Sequence, residues 1–451
     1  MAAPVRANCL LISANTMASP YPVYPLGIAH LMGALQAHGH RAHHVDILAD
    51  GGTDGLRQRL TNERFDVIGL SIRNIDTVDS SDDRDLLARM RTILTLVRDH
   101  SRAPIVLGGP GFSIMPEELL DSMQGDYGVV GEGETAFPRL IDQIMDPDLT
   151  PPRLTHGNSR SSSWPQPVFD HHIAAYYLDH GGMLNVQTKR GCNHHCSYCS
   201  YPTIEGTRLR CREPEQVAEE VQRLTVDHQA RYIFFTDGVF NDPHDHYLQV
   251  AEALIRMDNT TPWCAFFRPQ HLDREKLHLL KRSGLAAMEL GTDGASDTTI
   301  RALNKGFTFD EVVTVNEQAV AESIPCAHFI MFGGPDETEA TVLEGLENID
   351  RLPVSVVFAY LGIRIFPGTH LQRRGLDEGL IRPDQSLLRP AYYFSPQVTS
   401  DFMETRLSRS FANRMDRIFL YDKVAESITM LHQMGLDGPG WDGLIRKKLA
   451  Q

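Results

Sequence analysis

Cys192, Cys196 and Cys199 stand in the run Lys189-Arg190-Gly191-Cys192-Asn193-His194-His195-Cys196-Ser197-Tyr198-Cys199, a C-x3-C-x2-C spacing. Three thiolates this close can hold a cubane iron–sulfur cluster, which ordinarily takes four ligands. One iron is then left open to bind a small molecule directly, so the spacing reads as a reactive cluster rather than a closed electron carrier. A Cys3His zinc site with His194 or His195 is the competing arrangement. Structural zinc, however, draws on two separated ligand pairs, and the chain supplies no second pair. A disulfide is disfavoured, because the seven cysteines are odd in number, residues 1–8 read as no export signal, and cytosolic thiols stay reduced. Cys9, Cys211, Cys264 and Cys326 are scattered and read as small buried hydrophobes.

Positioning such a cluster takes a scaffold, and 451 residues exceed what one core organises, so two or three domains are expected. With 42% hydrophobic and 22% charged residues the chain reads as an ordinary globular protein. No apolar run is long enough to span a bilayer, which makes a cytoplasmic enzyme without a membrane partner the expectation. A formal charge of -15 argues against a nucleic-acid partner, since phosphate backbones are held by clustered Lys and Arg.

Residues 1–145 alternate short apolar runs with helical patterns. Cys9–Ser13, His43–Leu48, Val67–Ile72, Ile105–Gly109 and Tyr127–Val130 read as strands, with helical periodicity in Gly27–His38 and Asp85–Asp99. Such alternation implies an α/β fold with a doubly wound parallel sheet, whose ligands bind beyond the carboxyl ends of the strands. Residues 146–180, with Pro151-Pro152 and Ser161-Ser162-Ser163, read as a linker draped over the surface. A second series occupies 181–375, with strands at Leu184–Thr188, Tyr232–Thr236, Trp263–Phe267, Ala287–Leu290, Cys326–Phe332 and Val354–Ile365. Six strands alternating with helices fit a partial or full parallel α/β barrel. The cysteine run follows the first of them and would lie at the barrel mouth. Residues 376–451 read as mainly helical.

A C-x3-C-x2-C run after the first strand of such a barrel, with aromatic Tyr198 before the last cysteine, resembles the radical S-adenosylmethionine superfamily. The resemblance implies a 4Fe–4S cluster on Cys192, Cys196 and Cys199 whose open iron chelates S-adenosylmethionine. One electron then breaks the sulfonium bond, giving methionine and a 5′-deoxyadenosyl radical that abstracts hydrogen from a substrate. It also implies an electron-donor protein such as flavodoxin or ferredoxin. Thr236-Asp237-Gly238, Glu289-Leu290-Gly291-Thr292-Asp293 and Phe329-Ile330-Met331-Phe332-Gly333-Gly334-Pro335 match the family's cosubstrate-binding strand ends. Tyr198, Asp237, Arg268, Glu289 and Gly333 are thereby the expected cofactor contacts, although Asp237 could instead cap a helix and Glu289 pair with a core arginine.

Tyr24-Pro25-Leu26-Gly27-Ile28-Ala29-His30-Leu31 and Val129-Val130-Gly131-Glu132-Gly133-Glu134 make the first domain similar to the B12-binding class of that superfamily. The histidine signature D-x-H-x-x-G is absent from residues 1–150, which leaves cobalamin binding open. Two reactions follow. With cobalamin, a methyl group could pass to an unactivated carbon. Without it, hydrogen abstraction beside a hydroxyl leads to loss of water from a sugar-like diol, as in radical diol dehydratases of aminoglycoside biosynthesis. The polar strand-end residues Arg73, Asn74, Asp76, Arg268, Gln270, Asp293, His328 and Arg364 suit a hydroxylated small molecule and tilt the expectation to dehydration. Arg73, Asp76, Asp293, His328 and Arg364 are its expected catalytic residues. A non-catalytic cofactor sensor is the third reading, though loss of function would be expected to spoil the cysteine spacing first.

Overall fold

The apolar runs form two parallel sheets in a computed structural model, which describes residues 6–18, 21–157, 164–419 and 422–445. Ser161-Ser162-Ser163 of the expected linker lies outside the described residues. The first sheet comprises β1 (Asn8–Ser13), β2 (Arg41–Asp46), β3 (Val67–Ser71), β4 (Ile105–Gly108), β5 (Tyr127–Gly131) and β6 (Leu154–Gly157), in the spatial order β2-β1-β3-β4-β5-β6. Successive side chains of a strand face opposite ways. Cys9, Leu11, Val67 and Val106 therefore pack on helices Leu26–Ala37 and Gly133–Met145, while Leu10, Ile12, Ile68, Leu70 and Leu107 pack on Gly52–Asn62 and Leu86–His100. Asp85 caps the last of these helices by accepting from the Ala88 N–H at 2.8 Å. The strand order reverses between β1 and β3, opening a crevice at their carboxyl ends.

The second sheet runs in chain order: β7 (Leu184–Val186), β8 (Ile233–Phe235), β9 (Trp263–Phe267), β10 (Leu285–Asp293), β11 (Cys326–Phe332), β12 (Ser355–Leu361) and β13 (Arg417–Phe419). Its outer face, including Ile233, Phe235, Ala265, Met288 and Leu290, packs on helices such as Pro214–Asp227 and His246–Arg256. The inner face is aromatic. Phe234 and Phe266 have centroids 5.2 Å apart, Phe266 and Phe329 6.5 Å, and Phe329 and Phe358 5.0 Å. At the amino ends of these strands Trp441 and Ile445 enter the same apolar cluster, beside Tyr232, Cys264 and Ala287.

Two segments differ from expectation. The stretch 146–180 contains β6 and much of a helix, His171–Gly181, and the Val168 N–H donates to Ala29 O at 2.9 Å, so it is packed on the first sheet's helices rather than draped. The carboxyl-terminal region adds β13 to the barrel and an antiparallel ribbon of Tyr392–Tyr393 with Ile363–Arg364. Among the described residues no helix is long and apolar enough to cross a membrane.

Candidate active site

The cysteine loop leaves β7 and is closed by a short ribbon, Lys189–Arg190 against Arg210–Cys211. Gly191 starts it at φ 88°, where a Cβ would lie 2.2 Å from Arg208 O, so only glycine passes this point. Backbone bonds then fix the loop: Cys192 N to Gly206 O at 3.1 Å, Ser197 N to Leu303 O at 3.0 Å, and Leu371 N to Ser197 O at 2.8 Å. Asn304 adds a side-chain bond to His195 O at 2.7 Å. All three cysteines are half-buried and form no disulfide. Burial pushes the Cys199 thiol up to about 12, and the neighbouring Cys196 and Cys192 add to that shift. Burial, reinforced by Arg268 and Lys305, drops His194 to about 4, so its imidazole is neutral near pH 7.

The three thiols are electrostatic neighbours, yet among the described residues no group of three His, Cys, Asp or Glu side chains converges tightly enough to hold one metal ion. A zinc site requires that convergence. A cubane does not, because each cysteine binds a different iron. The donor set thus fits a cubane.

Beside this loop stand three of the expected residues. The Tyr198 hydroxyl donates to Asp293 Oδ2 at 2.6 Å, and Arg268 Nη1 donates to Cys196 Sγ at 3.5 Å. Asp293 is turned toward the loop by a register shift after Leu290 and by its own φ of 60°, a left-handed conformation for a non-glycine residue. Lys305 pairs with the same carboxylate. No motif marked Lys305; it arrives through the turn after helix Asp297–Ala302.

Other expected residues are placed elsewhere. Asp237 neither caps a helix nor faces the mouth: fully buried, it accepts from Thr188 N at 2.7 Å and Lys189 Nζ at 3.2 Å, which locks the exits of β7 and β8 together. Glu289 lies within β10 rather than at its end and accepts from Trp441 Nε1 at 3.0 Å; among the described residues no arginine pairs with it. His328 is fully buried between Thr292 Oγ1 and Asn316 Oδ1, each at 2.9 Å, and so faces the helix Phe309–Ala321 on the outside of the barrel. Asp76 and Arg364 are spent on one another at 2.7 Å, buried where the two sheets' loops meet. Gly333 sits in the turn after β11, and its N–H donates to the Glu337 carboxylate.

Arg73 and Asn74 enter a cavity of about 560 Å³ at the reversal point of the first sheet. Ser13, Asn15, Ser71 and Gly109 line it from one side, and Gln187, Tyr201, Thr236 and Phe366 from the barrel side. Gly109 has φ 98°, and a Cβ there would lie 2.7 Å from Ile72 O, so the wall is built of backbone. Burial lowers the Arg73 guanidinium, partly offset by the neighbouring Tyr177, Tyr201 and Tyr21. His30 is the only imidazole among the lining residues, and its Nδ1 lies 3.3 Å from Pro165 O. Among the described residues His30 Nε2 has no hydrogen-bond partner, so the wall offers a large ligand amides, hydroxyls, a cation and one imidazole nitrogen. Tyr201 was readable as an aromatic just beyond Cys199, although nothing in the sequence set it opposite the first sheet.

Residues 12–141 match the B12 binding domain, and residues 186–349 match the radical SAM superfamily. The tryptophan 2-C-methyltransferase of Streptomyces laurentii is 26% identical, over 80% of this chain and 73% of that protein. Among solved structures, the radical S-adenosylmethionine methyltransferase TsrM of Kitasatospora setae, with cobalamin and a 4Fe–4S cluster bound, has a TM-score of 0.84 at 23% identity, covering 99% of both chains. The cobalamin-dependent S-adenosylmethionine radical enzyme OxsB has a TM-score of 0.73 at 16% identity, covering 99% of this chain and 70% of that one. At these identities the two structures establish a common fold.

Proposed function

The chain is a radical SAM enzyme that carries a B12-binding domain ahead of its barrel, and on that premise we propose that it is a cobalamin-dependent methyltransferase acting on a carbon of a small molecule. One observation carries the reading. The cavity of the first sheet opens onto the cysteine loop, sharing Tyr201, two residues beyond Cys199. A corrin held there would lie beside the loop that carries the cluster cysteines. Cobalamin, when bound, supplies a transferable methyl group. Ser13, Asn15, Ser71 and Asn74 would hold its amide-rich rim, with Arg73 as a cation that has no lone pair to offer the metal.

The dehydration expected from the polar strand ends loses its support. Asp76, Arg364 and His328 are buried and hydrogen-bonded to other protein groups, so three of the five residues expected to serve the expulsion of water are spent elsewhere. The similarity to a C-methyltransferase favours methyl transfer instead. Beside the cysteine loop the Asp293 carboxylate accepts from both the Tyr198 hydroxyl and the Lys305 ammonium, and the Gly333 turn held by Glu337 would present backbone to the cosubstrate.

The test is anaerobic purification with hydroxocobalamin, followed by turnover with S-adenosylmethionine deuterated at its methyl group. The expected result is stoichiometric corrin in the visible spectrum and the label on a product carbon. A corrin-free protein that forms 5′-deoxyadenosine and moves no label would return the assignment to dehydration.

A further inference from the structure

Arg268 follows β9 and is only 4% exposed. A buried cation is strongly destabilising unless its charge is balanced. Among the described residues Arg268 forms no ion pair with a carboxylate. Its Nε donates to Gln270 Oε1 at 3.1 Å, its Nη2 to the Lys305 carbonyl, and its face lies 5.2 Å from the Phe307 ring centroid. All of these partners are neutral. The nearby carboxylate, Asp293, is taken by Lys305 and by the Tyr198 hydroxyl. One acceptor able to carry negative charge is left to the guanidinium, the Cys196 sulfur at 3.5 Å.

We propose that Arg268 is the fixed counter-charge of the iron–sulfur cluster, donating to the Cys196 sulfur and making the cluster easier to reduce. The inference rests on the cluster sitting on Cys192, Cys196 and Cys199, and it assigns the charge that tunes it. Reduction adds one electron from the external donor and no proton, so the reduced cluster is the more negative state and gains most from a cation beside it. Hydrogen bonds to cluster sulfurs raise the potential in the same direction. The guanidinium is also held in place before the electron arrives. Asn241 clamps the Arg268 backbone with two bonds of 2.9 Å, and Gln270 is tied to Gly306 O at 2.7 Å. Lys305 contributes less to the role, because its charge is shared with Asp293.

The measurement is an EPR-monitored redox titration of the reconstituted full chain without S-adenosylmethionine, so that a contact with the cosubstrate cannot account for any change. Arg268→Gln with normal iron and sulfide content should show a reduced-to-oxidised ratio at least tenfold below wild type at the wild-type midpoint, about 59 mV for a one-electron couple. Arg268→Lys should keep most of the wild-type value. An unchanged midpoint in Arg268→Gln would make Arg268 a mere brace and overturn the proposal. Wild-type protein labelled at the arginine guanidino nitrogens gives a second reading that does not depend on the variant folding: the reduced cluster should show a hyperfine coupling to that label, and its absence overturns the proposal too. A wild-type chain that assembles no cubane at all would instead remove the cluster assignment beneath it.

Discussion

Lys189 is 1% exposed, and its ammonium is shared by Asp237 at 3.2 Å, Asp242 at 3.5 Å and the Phe240 carbonyl at 2.7 Å. Removing the cation leaves two carboxylates buried without their partner, so Lys189→Met should cost about 3–5 kcal/mol in urea-induced unfolding. Glu289 poses the opposite case. Burial pushes its carboxyl up to about 7, opposed by the Trp441 bond and assisted by Asp442. The native protein then keeps a proton that the unfolded chain releases near 4.5, so this contribution is whole below that pH and is lost as pH rises to about 7. The loss is on the order of 3 kcal/mol. Glu289→Gln still accepts from Trp441 and escapes that loss; thermal melts should coincide with wild type near pH 5 and lie several degrees above it near pH 8. Such roles were out of reach of a reading along the chain. The cysteine spacing and Tyr198 are local, whereas Trp441 is 152 positions from Glu289 and Asp237 meets Lys189 from 48 positions away. A strand end written in acids does not reveal which acids are already spent.

Gly109 forms the cavity wall between β4 and the next helix, with φ 98° and no room for a Cβ against Ile72 O and Ser71 Oγ. Gly109→Val should destabilise the first domain by about 1–3 kcal/mol and lower the corrin-to-protein ratio after purification with hydroxocobalamin, read by denaturant unfolding and visible absorbance. Most strands were visible as apolar runs, and Trp263–Phe267 and Cys326–Phe332 keep their expected bounds. The misses have a common cause. β13 is three residues long and β6 reads Leu-Thr-His-Gly, too short or too polar to show periodicity, so pairing with a neighbour rather than local pattern makes each a strand. β10 extends beyond its apolar run to Asp293, carried by pairing with β11 across the irregular register.

Across the molecule, the two sheets are tied by Asp76–Arg364 at 2.7 Å, Arg190–Glu134 at 2.6 Å and a bond from Tyr177 Oη to Asp46 at 3.0 Å. A ligand that fills the cavity between them binds only when both halves are folded. Saturating cobalamin at about 100 times its dissociation constant should therefore add about 2.7 kcal/mol, seen as a higher melting temperature. Asp76→Asn, which removes the charge facing Arg364, should reduce that gain; an equal gain in the variant would show that the junction is not coupled to the cavity. Trp441 and Ile445, set into the amino end of the barrel, carry a further consequence. Among the described residues their apolar side chains cap the amino ends of the strands, opposite the end at which the cysteine loop leaves β7. Were the cysteine-loop end the way in, traffic would run last in, first out, and a molecule stalled at that doorway would imprison whatever had gone in before it.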